Sequence, residues 1–285
     1  MQKSRPSRTA LRVALRRAAH QVHDAAPRVL DDPFAVPILG PHAADLARTP
    51  DPAPGNRLRP FSVGLRAFLV ARSRYAEDLL AEAVATRGVP QYVLLGAGLD
   101  TFAHRNPHPG LRVFEVDHPA TQQWKRELIA GARLAEPAGL IYVPVDFERQ
   151  SLAAQLLSTG HSPSQPTFFA WLGVVPYLTL PAFRATVAFI AAQPPGSGVV
   201  FDYGQPREVL PFFEQLAHDS LAARVKQAGE PFQSFFTPRE VAAELAAFYD
   251  LEDLGAPELN ARYFDARGDS LRMIGTAGRM VSAWL

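Results

Sequence analysis

The chain has 285 residues, 47% of them apolar, 20% charged and none of them cysteine, with a formal net charge of +1. That content can fill the core of one large domain or two small ones, and it excludes a chain disordered throughout. The lack of cysteine excludes disulfides, thiolate metal ligands and a cysteine nucleophile. It fits a reducing cytoplasm, and with no apolar run near the roughly 18 residues of a membrane span and no signal-peptide core after the basic start, a cytoplasmic globular protein is expected.

A helix is expected first, over about 9–24. Lys3, Arg5, Arg8, Arg12, Arg16 and Arg17 bring six cations and no acid to the first seventeen residues. They leave 23 basic against 28 acidic residues in the rest, a net of −5. Leu11, Leu15, Ala18 and Ala19 fall on one stripe, so the arginines are expected on the opposite, solvated face. No aromatic residue interleaves them and the body is not basic, so no nucleic-acid partner is expected. His20 and His23 lack acids at ligand spacing and read as helix surface, with no metal. A second helical stretch near 33–47 follows Asp31-Asp32-Pro33, and Thr49–Gly55 is a loop by composition. Residues 1–60 therefore form a helical unit without a convincing strand.

A long helix from about 61 to 87 stops at Gly88. Short apolar runs then alternate with helical ones. Strands are expected at Tyr92–Leu95, Leu111–Val116, Leu140–Val143, Phe168–Trp171 and Val199–Tyr203, and helices at Ala120–Ala130, Gln150–Leu157 and Pro181–Ala192. Thr237-Pro-Arg-Glu240 opens a late helix as a capping box with proline at its first position. Tyr249–Leu254 and Met280–Leu285 read as the last two strands. The alternation argues an α/β fold with a mainly parallel sheet and helices on both faces. Such sheets bind ligands at the carboxyl ends of their strands.

Those ends carry a constellation. Gly96 and Gly98 follow the first strand, where glycine lets backbone approach a ligand. The third glycine of a dinucleotide fingerprint is replaced by Thr101. Asp117 ends the second strand nineteen residues past Gly98, where nucleotide folds place the acid that accepts from both ribose hydroxyls. Asp146 and Phe147 end the third strand and suit an adenine, amino group to carboxylate and ring to ring. On the long helix, Arg74 has Asp78 four residues on, whereas Arg72 has no local acid and is freer to hold a ligand carboxylate. Each feature also serves ordinary folding, as tight turn, surface acid or cap. Their succession is what points to a nucleotide ligand.

At these residues the chain resembles the leucine carboxyl methyltransferase-like (PPM) family of S-adenosylmethionine-dependent methyltransferases, most of all its bacterial branch. The shared stretches are Ala71-Arg-Ser-Arg-Tyr-Ala-Glu77, Gln91-Tyr-Val-Leu-Leu-Gly-Ala-Gly-Leu-Asp-Thr-Phe102, Phe114-Glu-Val-Asp-His-Pro119, Val143-Pro-Val-Asp-Phe147 and Phe169-Ala-Trp-Leu-Gly-Val-Val-Pro-Tyr-Leu178. Arg17-Ala-Ala-His-Gln21 and Leu30-Asp-Asp-Pro-Phe34 fit as well. The likeness runs from about Ser7 to the end. It implies a class I methyltransferase, Rossmann-like fold: a seven-stranded mixed sheet with one antiparallel strand near its edge and helices on both faces. Residues 1–60 would be an N-terminal helical cap and 61–285 the S-adenosylmethionine-binding domain, with an insertion at about 205–236 shaping the substrate pocket. By resemblance, Arg72 would hold the methionine carboxylate of the cofactor, Gly96 would form the turn beside it, Asp117 would bind the ribose, and Asp146 with Phe147 the adenine. Leu172 stands where relatives often carry glutamate, a departure that bears on polar contacts at the amino-acid end of the cofactor and on acceptor preference.

The implied chemistry is displacement at a sulfonium methyl, in which the protein aligns nucleophile and methyl and excludes water. A carboxylate acceptor needs no general base, whereas a phenol or alcohol gains from one. His118, Tyr177 and Tyr203 lie near strand ends, but no catalytic residue is assigned. Phosphate-loop, H-E-x-x-H and G-x-S-x-G motifs are missing. So is the Asn/Asp-Pro-Pro-aromatic tetrapeptide of methyltransferases that act on nucleic-acid bases, which Gln193-Pro-Pro-Gly196 does not match. The acceptor is therefore expected to be oxygen on a small molecule. Phe212, Phe213, Phe232, Phe235 and Phe236 in the insertion suit an apolar pocket or lid, or plain packing. Two other readings stay open: an NAD-dependent oxidoreductase, which shares the glycine turn and ribose acid, and a non-catalytic binding protein that uses the basic N-terminus.

Overall fold

The computed structural model describes residues 7–48, 59–146, 150–227 and 229–285. Within them seven strands form one sheet, β1 (Gln91–Leu95), β2 (Arg112–Asp117), β3 (Leu140–Pro144), β4 (Thr167–Trp171), β5 (Gly198–Gly204), β6 (Tyr249–Leu254) and β7 (Gly278–Trp284). Their order is β3-β2-β1-β4-β5-β7-β6. The first five run parallel, and β7 pairs antiparallel with both β5 and β6. This is the mixed seven-stranded sheet expected, and every strand falls within a residue or two of its expected bounds.

Alternation along each strand feeds two cores. Tyr92, Leu94, Val113, Phe168, Ala170 and Val200 point to one face, against Ala67, Val70, Ala71, Tyr75 and Leu80 of the long helix α3 (Arg59–Arg87). Val93, Leu95, Phe114, Val116, Phe169 and Phe201 point to the other face. There they meet α6 (Leu152–Ser158), α7 (Leu180–Ala191) and α9 (Pro238–Glu244). Strands buried on both faces read as unbroken apolar runs, which is why the sequence located them. A third cluster joins α1 (Arg8–His23) to α5 (Pro119–Gly131) through Ala14, Ala18, Ile38, Leu39, Leu128 and Ile129. No described helix is long and apolar enough to cross a membrane.

Three expectations are corrected. The helix near 33–47 is a 3-10 helix, Pro37–His42, followed by α2 (Ala43–Arg48). Gly40 adopts φ +52° there and Pro41 follows, and together they break a continuous α-helix. Arg17 is buried rather than solvated, and so is His20, whose Nδ1 lies 2.7 Å from Asp24 Oδ2. Three helices were not foreseen: α4 (Phe102–Arg105), α8 (Phe212–Gln227) and α10 (Ala256–Tyr263). In α8 only Val225 is buried, so no apolar stripe announces it.

Below the sheet end that carries the loops, His161 stacks edge-on to Phe114 at 5.6 Å, and its Nε2 meets Thr167 Oγ1 at 3.0 Å. Burial, helped by Arg112, lowers its pKa from 6.5 to about 4. The unfolded chain therefore takes up a proton on His161 that the folded one refuses. Stability should fall as pH drops from about 6.5 to about 4 and level off beneath. Urea midpoints measured across that range should slope less in His161→Gln than in the wild type.

Candidate functional site

After β1 the chain turns through Gly96-Ala97-Gly98. Gly96 N and Ala97 N donate to Val116 O, at 2.8 and 3.0 Å, and tie the turn to the end of β2. Gly96 and Gly98 hold φ of +71° and +52°, which glycine adopts without strain. A Cβ on Gly96 would meet Val174 Cγ2, in the loop after β4, at 2.4 Å, and one on Gly98 would meet Ala10 Cβ at 3.2 Å. The first glycine lets the loops after β1 and β4 touch, and the second lets α1 lie over the turn.

Asp117 stands at the end of β2 beneath this turn. Its Oδ2 accepts from Gly98 N at 2.6 Å and its Oδ1 from His118 N at 2.7 Å. Burial raises its carboxyl above the ordinary range, and those two N–H groups pull it back. His118 caps α5, its Nδ1 accepting from Ala120 N at 3.2 Å. Asp146 lies on the adjacent strand end, joined to Asp117 by Val145 N donating to Asp117 O at 2.9 Å. Phe147 lies outside the described residues.

Thr101, where a dinucleotide fingerprint has its third glycine, binds the N-terminal segment instead. Its Oγ1 donates to Asp32 Oδ2 at 2.7 Å and accepts from Arg17 Nη2 at 2.8 Å. Arg17 also reaches Asp100 Oδ2 and Asp32 Oδ2, both at 2.7 Å. One guanidinium on α1 thus joins the turn after β1 to the segment before the 3-10 helix. The second buried pair, Lys125 with Glu115 at 2.5 Å, also ties α5 to the turn, since Lys125 Nζ donates to Asp100 O.

Arg72 requires a correction. It has Ala76 rather than an acid four residues on, but Asp202 near the end of β5 meets its Nη1 at 3.0 Å. Asp202 also accepts from Gly173 N, and a Cβ on Gly173 would lie 2.8 Å from both Arg72 Nη atoms. Gly173 follows Leu172, which is half-buried and packs against the α3 core. Nε of Arg72 is buried without a hydrogen-bond partner among the described residues. A buried donor left over in this way suits an acceptor such as a ligand carboxylate. Asp202 escaped the sequence reading although it ends a strand just as Asp117 does.

The structure therefore brings Gly96, Gly98, Asp117 and Asp146 together at the carboxyl ends of β1, β2 and β3. Arg72 sits beyond the β4 loop, beside Asp202. Of the titratable groups near strand ends, Tyr203 donates to Asp253 Oδ2 at 2.5 Å, so its hydroxyl is engaged away from the turn. Tyr177 is close to Thr9 of α1, and its phenol is raised, chiefly by burial. Among the described residues no group of His, Cys, Asp or Glu is arranged to hold a metal. A cleft of about 450 Å³ lined by His104, His108, Arg112 and Gly139 opens where β2 begins, and it shares none of these residues.

A doubly wound sheet in this order, with its glycine turn and acids at the strand ends, defines the class of α/β nucleotide-binding folds. The same fold occurs in a DUF574 family protein from Streptomyces avermitilis (TM-score 0.57, 17% identity, 96% of each chain covered). It occurs also in a "putative methyltransferase" from Thermobifida fusca (TM-score 0.57, 18% identity, 99% of this chain and 96% of that one). The leucine carboxyl methyltransferase model matches residues 10–191, and the chain belongs to that family. It is 38% identical over 210 residues to the "Putative S-adenosyl-L-methionine-dependent methyltransferase YktD" of Bacillus subtilis, covering 71% of this chain and 67% of that one. A Saccharopolyspora erythraea protein of the same description is 30% identical over 301 residues, covering 96% and 94%. The protein is an S-adenosylmethionine-dependent methyltransferase, as the resemblance implied, and the NAD-oxidoreductase and binding-protein readings fall away.

Proposed function

We propose that this methyltransferase acts on a carboxylate or hydroxyl oxygen of a small molecule, in the cytoplasm. The observation that carries the reading is the buried Arg72–Asp202 pair at one end of the site. Arg72, Asp202 and Gly173 stand beside Leu172 and Tyr177, and the sequence has no Asn/Asp-Pro-Pro-aromatic segment there to grip a nitrogen acceptor. S-adenosylmethionine supplies a methyl on a sulfonium, already activated for displacement. The chain's own residues bind and orient. Asp117 is suited to accept from the ribose hydroxyls and Asp146, with Phe147, to meet the adenine. Gly96 and Gly98 let backbone approach. Arg72, fixed through Nη1 by Asp202, keeps Nε for the cofactor carboxylate. The described helices of the N-terminal unit act as a cap that excludes water, and the described residues of the insertion cover the acceptor side.

The reading is tested by incubating the purified protein with methyl-labelled S-adenosylmethionine and a panel of carboxylic acids, phenols, alcohols and amines. Label recovered as a base-labile ester or a stable aryl or alkyl ether is the expected result. Transfer to amines alone would overturn the oxygen assignment while leaving the methyltransferase intact.

A further inference from the structure

Residues 232–236 are strung across the carboxyl ends of β4 and β5. Gln233 N donates to Pro176 O at 2.7 Å, and Phe236 N donates to Gly204 O at 3.0 Å. This bridge fixes two rings over the site. Phe232 lies 5.2 Å from Tyr177, and Phe235 lies 5.8 Å from Phe232, close enough to Gly204 that a Cβ there would meet its ring at 3.1 Å. His218 of α8 closes the cluster, 5.0 Å from Phe235 and 6.5 Å from Phe232.

His218 is the odd member. Both its ring nitrogens are buried, and neither has a hydrogen-bond partner among the described residues. The nearest carboxylate oxygen, Asp219 Oδ1, is 3.6 Å from Nδ1 and is already engaged by Arg207 Nε at 2.7 Å. A neutral imidazole offers one donor and one acceptor, and burying either unpaired costs stability. A phenylalanine would fill the same aromatic cluster without that cost. The helix that carries the ring buries only Val225, leaves Phe212 and Phe213 68% and 75% exposed, and is otherwise tied by polar contacts such as Thr276 N to Glu214 at 2.7 Å.

We propose that His218 is the hydrogen-bonding anchor of the methyl acceptor, and that the acceptor is a hydroxyl-bearing aromatic ring held among Tyr177, Phe232 and Phe235. A flat ring matches the aromatic walls, and a hydroxyl, which both donates and accepts, answers either imidazole nitrogen. The assignment rests on the reading that the acceptor enters at this end of the site.

The test uses the full chain, uniformly labelled with nitrogen-15 and saturated with S-adenosylhomocysteine, whose own binding is measured first. Phenol and toluene are then titrated while the imidazole nitrogen signals are followed, those of His218 being identified by their loss in His218→Phe. The wild type should bind phenol about ten-fold tighter than toluene, with phenol alone shifting the His218 signals. His218→Phe should lose that preference, keep toluene binding and melt no lower than the wild type, because no internal hydrogen bond disappears. His218→Gln should restore part of the preference. Failure of phenol to bind, an equal preference in wild type and His218→Phe, or a lowered melting temperature with the preference intact would each overturn the assignment. Failure of S-adenosylhomocysteine to bind would instead strike the reading of the whole site.

Discussion

Replacing Asp117 by alanine is expected to weaken S-adenosylmethionine binding ten- to hundred-fold, a loss on the order of 1.5–3 kcal/mol for charge-assisted hydrogen bonds. The carboxylate acts twice. It holds the glycine turn through Gly98 N at 2.6 Å, and in the proposed complex its free lone pairs take the ribose hydroxyls. Asp117→Asn keeps one oxygen to accept from Gly98 N but turns its NH2 toward His118 N and removes the charge. Its affinity should fall between wild type and Asp117→Ala. Calorimetric titration of the three proteins measures the effect, and an alanine variant that binds like the wild type would refute the ribose assignment.

The largest effect on stability should come from Arg17→Met, about 3–5 kcal/mol read from the urea midpoint. Methionine matches the stem in bulk but leaves Asp32, which is fully buried, and Asp100 without the guanidinium that meets both at 2.7 Å. Burial alone would raise the Asp100 carboxyl, but Arg17, then Arg105 and Lys125, reverse this and hold it at about 2. A carboxyl depressed in the folded state stabilises it fully above the unfolded value near 4. That contribution is lost as pH falls from about 4 towards 2. In Arg17→Met this contribution is missing, so less stability should be lost between about pH 4 and 2 and the gap to the wild type should narrow there. A variant as stable as the wild type would show the cluster to be dispensable.

Arg17 also shows where sequence reading stops. Its place on the polar side of an amphipathic helix argued for solvent, yet Asp32, Asp100 and Thr101 converge on it from segments 15, 83 and 84 residues away. Arg72 failed in the same way, for its acid, Asp202, is 130 residues distant. Long-range ion pairs leave no local periodicity. The central strands β1, β2, β4 and β5 were legible because burial on both faces makes each a dense apolar run, and Gly96, Gly98, Asp117 and Asp146 because consecutive parallel strands put equivalent positions at one end of a sheet. The proposed acceptor side was the least legible part. It is built from α8 and the 232–236 bridge, which pack through a few aromatic rings rather than through a continuous stripe. The departure at Thr101 acquires a reason only in three dimensions, as the hydroxyl that links cap and turn.

The placement of β7 has a consequence for how the chain is made. It lies between β5 and β6, both of which precede it in sequence. During synthesis, β1 to β5 can leave the ribosome and assemble in parallel, with the glycine turn and its acids already in register. β6 then emerges with no neighbour to join and waits for residues 278–284. Until they appear, β5 presents its open edge, with Val199, Val200 and Phe201 along it, to any passing strand. A pause or nick between β6 and β7 would therefore leave the cofactor half of the molecule formed and its far edge primed for aggregation.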